Sequence, residues 1–145
     1  MDWIQGIQRA IDYVEENITT DIDFEEAAKR AYSSTFHFQR IFSILCGLSI
    51  GDYIRMRRLS LAGEELSRGS AKIIDIALKY GYDTPESFSR AFTRFHGIAP
   101  SEAKHSGNVK IFTPLSVKLS LTGGSKMDYR IEKRDAFQVV CKRKS

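Results

Sequence analysis

The stretch IIDIALKYGYDTPESFSRAFTRFHGIAPSEAK, residues 73–104, has a counterpart 50 residues upstream, and the two align without a gap. Ala77 falls on Ala27, Lys79 on Lys29, Tyr82 on Tyr32, Phe88 on Phe38, Arg90 on Arg40, Phe92 on Phe42 and Gly97 on Gly47. Between them lie similar pairs such as Ile98 with Leu48 and Glu102 with Asp52. The shared apolar residues have helical spacing and read as core. The paired arginines lie on the opposite side of the same helix and read as presented outward. Two copies of a small helical unit, each offering a short helix with an arginine, predict a tandem helix-turn-helix arrangement of the kind that reads DNA.

Working outward, residues 3–17 carry Ile4, Ile7, Ile11 and Val14 at amphipathic helical spacing. Asp23 reads as the N-cap of a second helix that turns Phe24, Ala27 and Ala28 inward, and Glu26 stands at capping-box spacing from it. Ala31-Tyr32-Ser33 is the turn. Ser34 caps a third helix whose buried stripe is Phe38, Ile41, Phe42 and Leu45, ended by Gly47. A long helix from about 50 to 66 turns Tyr53, Ile54, Leu59, Ala62 and Leu66 inward and carries Arg55, Arg57 and Arg58. The second copy repeats the plan: a helix near 73–80, a turn at Gly81, and a Thr84 cap with Pro85 at the first helical position. Its stripe is Phe88, Ala91, Phe92 and Phe95, closed by Gly97. Pro100 opens a last short helix ending near Gly107. Tyr32 and Tyr82 read as packing residues at their turns.

Beyond Gly107 the periodicity changes. Val117, Leu119 and Leu121 alternate with polar residues, as do Tyr129 and Ile131, and Phe137 and Val139, with a turn at Thr122-Gly123-Gly124-Ser125. Three short strand signals in this tail cannot bury a core of their own. The expected class is therefore all-α, a seven-helix tandem helix-turn-helix domain with a linking helix and a short β-prone C-terminal tail. The domains are 1–107 for the double unit and 108–145 for a linker and the incomplete start of a second domain.

Charge narrows the function classes. The formal net charge is +4, but its distribution is uneven. Residues 1–28 balance to −7, residues 29–107 to +5 and residues 108–145 to +6. The repeat region is mildly basic and its arginines are patterned, which suits a polyanionic partner. No apolar stretch approaches a membrane span and no secretory leader opens the chain. Two widely separated cysteines, Cys46 and Cys141, match no metal spacing and read as reduced thiols in a cytoplasmic protein. His37, His96 and His105 have no partner at metal spacing, so no metal and no cofactor is expected. A glycine-rich phosphate loop, a nucleophile elbow and a clustered His/Cys/Asp site are all absent, so no enzyme is expected.

Removing the buried stripes leaves the surfaces that can meet DNA. In the first unit these are Ser34, Thr35, Phe36, Gln39, Arg40 and Ser43. Phe36 and Arg40 are four apart and share a face. Arginine can read guanine bidentately, glutamine can read adenine, and an aromatic edge can lie on thymine methyls. In the second unit they are Thr84, Pro85, Glu86, Ser89, Arg90 and Arg94. Glu86 can accept from a cytosine amine or can simply complement the helix dipole. Phe36 can contact DNA or pack at the rim of the core. For Arg55, Arg57 and Arg58, phosphate contact and helix solubility are both open, and His37 reads as a surface histidine or as a contact to the DNA backbone.

Residues 73–104 resemble the signature of the AraC/XylS family of bacterial transcription regulators. The matching positions are Ile73, Ile76, Ala77, Gly81, Tyr82, Ser87, Phe88, Ser89, Arg90, Phe92, Gly97 and Pro100. In the first copy Phe38-Gln39-Arg40-Ile41-Phe42, Gly47 and Tyr53-Ile54-Arg55 resemble the family's first unit. The resemblance spans about residues 5–107. It implies seven helices, with those at 34–45 and 84–95 entering adjacent major-groove segments on one DNA face. It carries base contact onto Phe36 and Arg40, and onto Pro85, Glu86 and Arg90. Relatives carry amide side chains at the places of Pro85 and Glu86, a departure that shifts the second helix toward holding backbone. The tail at 127–143 is similar to the first strand of a GyrI-like effector-binding domain, truncated here, with Cys141 where a glycine is usual.

The resulting expectation is sequence-specific binding of double-stranded DNA by a bacterial transcription regulator, an activator of stress or drug-response genes, acting as a monomer in the cytoplasm. RNA polymerase is an expected partner, and an effector ligand is expected only if the second domain is complete. The alternative is a protein-interaction module on the same fold that has lost DNA binding. A further rival, a DNA alkyl-transfer repair enzyme, needs a reactive cysteine in a segment this chain lacks.

Overall fold

Seven helices form in the expected order, with side-chain caps at Asp23, Ser34 and Thr84. The computed structural model describes residues 3–122, 126–133 and 140–142, with side chains described through residue 117. The described residues fall into two compact units. The first takes in residues from Met1–Asn17, Ile22–Tyr53 and Thr113–Ser145, and the second Ile18–Asp21 and Ile54–Phe112.

In the first unit, α1 (Trp3–Glu16) buries Ile4, Ile7, Ile11 and Val14 as its periodicity predicts, together with Tyr13. Helix α2 (Phe24–Arg30) starts at Asp23, whose carboxylate accepts from the Glu25 N–H at 2.9 Å. Glu26 does not close a capping box: it pairs with Arg30 at 3.1 Å. The Asp23 N–H instead donates to the Tyr13 hydroxyl at 3.2 Å, so a distant tyrosine does the work expected of a local glutamate. Helix α3 (Thr35–Cys46) is capped by Ser34 and ended by left-handed Gly47. It buries Phe38, Phe42, Leu45 and Cys46, while Ile41 is only half-buried. Phe42 lies between Phe38 and Tyr53, ring centroids 6.0 and 5.9 Å away.

Tyr53 sits near the start of α4 (Ile50–Ser67) and ties the tail to this unit. Its hydroxyl donates to the Glu15 carboxylate at 2.7 Å and accepts from the Leu115 N–H at 3.3 Å. The Val117 N–H donates to the Gln8 side chain at 2.8 Å. Strand β1 (Leu115–Thr122) thus follows the alternation in the sequence and pairs antiparallel with β2 (Lys126–Lys133). A short β3 (Val140–Lys142) completes the order β1-β2-β3, with Ile131 opposite Cys141. The Gly123-Gly124-Ser125 turn and the alternation at Phe137 and Val139 lie outside the described residues.

The second unit holds the rest of α4 with α5 (Ile73–Lys79), α6 (Pro85–His96) and α7 (Pro100–Ser106). Its core is Leu59, Ala62, Leu66, Ile76, Ala77, Tyr80, Phe88, Phe92 and Ala103. Ala91 and Phe95, expected in the buried stripe, only pack against its edge. His96 takes the buried place one residue further on.

The two copies are not gap-free equivalents. Helices α3 and α6 are 50 residues apart, but α2 and α5 are 49 apart. The backbone bonds of the turns confirm the shift: Ser33 N–H to Ala28 O matches Tyr82 N–H to Ala77 O. The second turn therefore holds one extra residue, and Tyr32 occupies the place of Gly81, not that of Tyr82. Both adopt the left-handed conformation, at φ 55 and φ 90. That conformation costs roughly 1 kcal/mol for a residue with a Cβ and nothing for glycine. The expectation that Tyr32 packs at its turn is overturned, since the residue is 73% exposed. Tyr82 does pack, its ring edge-on to Phe88 at 5.4 Å.

Two arginines of α4 are bonded to backbone carbonyls. Arg57 is buried and donates to the Phe112 carbonyl at 2.5 Å. Arg58 donates to the carbonyls of Ile18 and Thr20, both at 2.8 Å. These bonds satisfy backbone acceptors in segments that have no regular ladder. Arg58→Ala is expected to destabilise the protein by about 1.5–3 kcal/mol, the range for a hydrogen bond to a charged donor. Chemical denaturation checks this, and the salt dependence of DNA affinity should stay unchanged if Arg58 meets no phosphate. Arg55 is exposed, and for it phosphate contact stays open.

His96 is another buried polar group that periodicity alone does not reveal. Its Nε2 lies 2.7 Å from the Leu59 carbonyl, and its Nδ1 accepts the Lys110 N–H at 2.9 Å. This arrangement selects the neutral tautomer with the proton on Nε2. A Cβ at Gly63 would sit 2.6 Å from the ring, so only glycine admits His96 against α4. Burial holds the His96 pKa below its ordinary value, the Leu59 hydrogen bond opposes that, and the Lys110 charge adds to it. The unfolded chain then binds the proton more readily than the folded one. Stability is expected to be full above pH ~6.5 and to fall as the pH drops from there toward the folded pKa. Thermal melts across that range check it, and His96→Gln should flatten the slope.

Candidate nucleic-acid interface

Helix α3 is held by one face and free on the other. Ser34 Oγ accepts from the His37 N–H at 3.2 Å, which fixes the first turn and leaves Thr35 and Phe36 at its outer edge. Phe36 is 73% exposed, so its ring is open to a partner. Ser34 and Arg40 are exposed, while Thr35, Gln39 and Ser43 are half-buried. Phe36, Arg40 and Ser43 follow i, i+4, i+7 spacing and line one stripe. Arg40 is the only Lys, Arg, Asp or Glu on the helix, so its charge is not offset locally.

Helix α6 repeats the arrangement with different chemistry. Thr84 Oγ1 accepts from the Ser87 N–H at 3.1 Å, and Pro85 opens the helix where no N–H is needed. Thr84, Pro85, Glu86, Arg90 and Arg94 are exposed and Ser89 is half-buried. Pro85, Glu86, Ser89 and Arg90 line one shallow depression on its outer face. Glu86 stands in the first turn, where the helix dipole favours a carboxylate. Arg90 occupies on α6 the place of Arg40 on α3, both five residues after the first helical residue. Among the described residues neither has an intramolecular hydrogen-bond or ion-pair partner, in contrast to Arg57 and Arg58.

Within each unit, then, the structure gathers the residues selected from sequence onto one outward face. Sequence reasoning missed Ser87, whose hydroxyl bonds back to Thr84 and closes the cap reciprocally. A serine three residues after a threonine cap is its signal. Among the described residues no His/Cys/Asp/Glu group can hold a metal, and no helix is long and apolar enough to cross a membrane. The arrangement offers donors, an acceptor and an apolar edge at two capped helix N-termini, which suits base edges and phosphates.

Comparison with known proteins agrees. Residues 27–106 match the model of a helix-turn-helix domain family. The chain is 36% identical to the HTH-type transcriptional activator AarP of Providencia stuartii over 66% of this chain and 70% of that protein. It is 37% identical to the regulatory protein SoxS of Salmonella typhimurium over 70% of this chain and 94% of that one. Among solved structures, an AraC-type DNA-binding domain regulator from Chromobacterium violaceum superposes with a TM-score of 0.64 at 24% identity, covering 69% of this chain and 89% of that one.

Proposed function

We propose that this chain, which belongs to the AraC-type helix-turn-helix family of DNA-binding transcription regulators, reads double-stranded DNA with α3 and α6 in successive major-groove segments. The observation that carries this is the recurrence of an exposed arginine, Arg40 and Arg90, at the same place on two capped helices. Ser34, Thr35 and Thr84 place hydroxyls and first-turn N–H groups where phosphates approach. Phe36, Gln39, Arg40 and Ser43 face bases in one segment, and Glu86, Ser89, Arg90 and Arg94 face the other. Pro85 has no side-chain donor, so α6 contributes more to positioning and α3 more to specificity. Because one chain holds both helices, a monomer covers a site of about two DNA turns without a symmetric partner.

On this reading the protein works in the cytoplasm on the nucleoid, activates transcription and contacts RNA polymerase. Residues from 108 on link to an effector-binding domain of GyrI-like type, of which the β-sheet is the beginning. A second reading, docking onto a protein partner, has support in Ile74 and Leu78, exposed apolar residues four apart on α5.

Selection of bound sequences from random duplexes tests the proposal. Enrichment of an asymmetric site of about 20 bp supports two-helix reading. No enrichment, with weak binding that simply decays with salt, overturns sequence-specific reading and favours the second.

A further inference from the structure

The first unit contains a pocket beside its turn. It measures about 370 Å³ and is lined by Trp3, Ile7, Ala31, Tyr32, Ser33, His37, Phe38 and Ile41. That volume lies in the range of about 300–1,000 Å³ usual for small-molecule pockets. Its origin is visible in the corrected equivalence of the two turns. Where the second unit has Tyr80 and Tyr82, the first has Ala31 and Ser33, and both line the cavity. Tyr80 is buried in the core of the second unit, and the Tyr82 ring rests edge-on against Phe88. Phe38 is the counterpart of Phe88, and it lines the cavity together with Ser33, the counterpart of Tyr82.

The mouth carries aromatic surface. Trp3 is 43% exposed and Tyr32 is 73% exposed. Tyr32 holds a left-handed conformation that glycine serves in the other copy, so a ring stands at the rim at a conformational cost. Ser33 and His37 supply polar atoms that can meet a hydroxyl.

We propose that this cavity is a binding site for a small flat aromatic molecule of the phenol class, which takes the place that the Tyr82 side chain fills in the second unit. A flat aromatic guest would bury its faces against Ile7, Phe38 and Ile41 and turn its hydroxyl toward Ser33 and His37. The site lies behind α3, on His37, Phe38 and Ile41, away from the stripe of Phe36, Arg40 and Ser43.

Trp3 is the only tryptophan in the sequence, so its indole N–H gives one resonance that reports the site. The full chain is titrated with phenol, and with cyclohexanol as the non-aromatic comparison, while that resonance is followed. A saturable shift with phenol is expected, with about tenfold weaker binding of cyclohexanol and of phenol to Ser33→Tyr. If Ser33→Tyr does not fold, Ile41→Phe narrows the same cavity from α3 and carries the same expectation. No saturable shift up to the solubility limit, equal binding of cyclohexanol, or undiminished binding in the filled variant overturns the proposal.

Discussion

Replacing Arg40 with alanine is expected to weaken binding to the selected site by roughly 5–150-fold, the equivalent of about 1–3 kcal/mol for one bidentate contact to guanine. The loss should be concentrated at one base position, where the guanine preference relaxes, and binding to unrelated duplexes should fall much less. Thermal stability should barely change, within about 0.5 kcal/mol, because Arg40 is exposed and bonded to nothing within its own helix face. The same substitution at Arg90 should cost less specificity, since its neighbours Pro85 and Glu86 offer no amide to read a base. Quantitative binding on a panel of single-base variants, with a melt of each protein, separates these outcomes.

Phe42→Ala, two residues further along the same helix, is expected to give the opposite signature. Phe42 is completely buried between the Phe38 and Tyr53 rings. Truncation removes its apolar area and leaves a cavity in a close-packed interior, together about 3–5 kcal/mol. Against a total stability of about 5–15 kcal/mol, that is a large fraction. The melting temperature should fall by roughly 10 °C or more. DNA binding should weaken on all sequences alike, and only as far as the first unit unfolds. A denaturant titration with an unchanged m-value would attribute the loss to packing and not to a different unfolded state.

The contrast between these two residues shows what was legible in the sequence. Helix starts and stops were, because Asp23, Ser34 and Thr84 act within three residues of where they stand. Alternation and helical spacing were, because a buried face imposes its period on its own segment. What stayed hidden depends on partners far along the chain. Arg57, Arg58 and His96 read as surface groups by residue type, yet each bonds a carbonyl between 37 and 55 residues away. No local pattern encodes such a bond. The one-residue difference between the turns was hidden for another reason. Repeated Ala, Lys and Tyr at 50-residue spacing produced a convincing alignment, while the backbone bonds that define the turn follow 49. The outward faces of α3 and α6 were legible by subtraction, since whatever the stripe does not bury is left for a partner. Their base preferences are not, because Glu86 serves the helix dipole and a cytosine amine equally well.

If two helices in one chain read two successive major-groove segments, affinity depends on the spacing between those segments. Inserting five base pairs at the centre of the selected site rotates one segment by about half a turn of DNA while leaving both base sequences intact. Affinity is then expected to drop to the level of unrelated duplexes. Unchanged affinity after the half-turn insertion would contradict it and would leave a single helix as the reader.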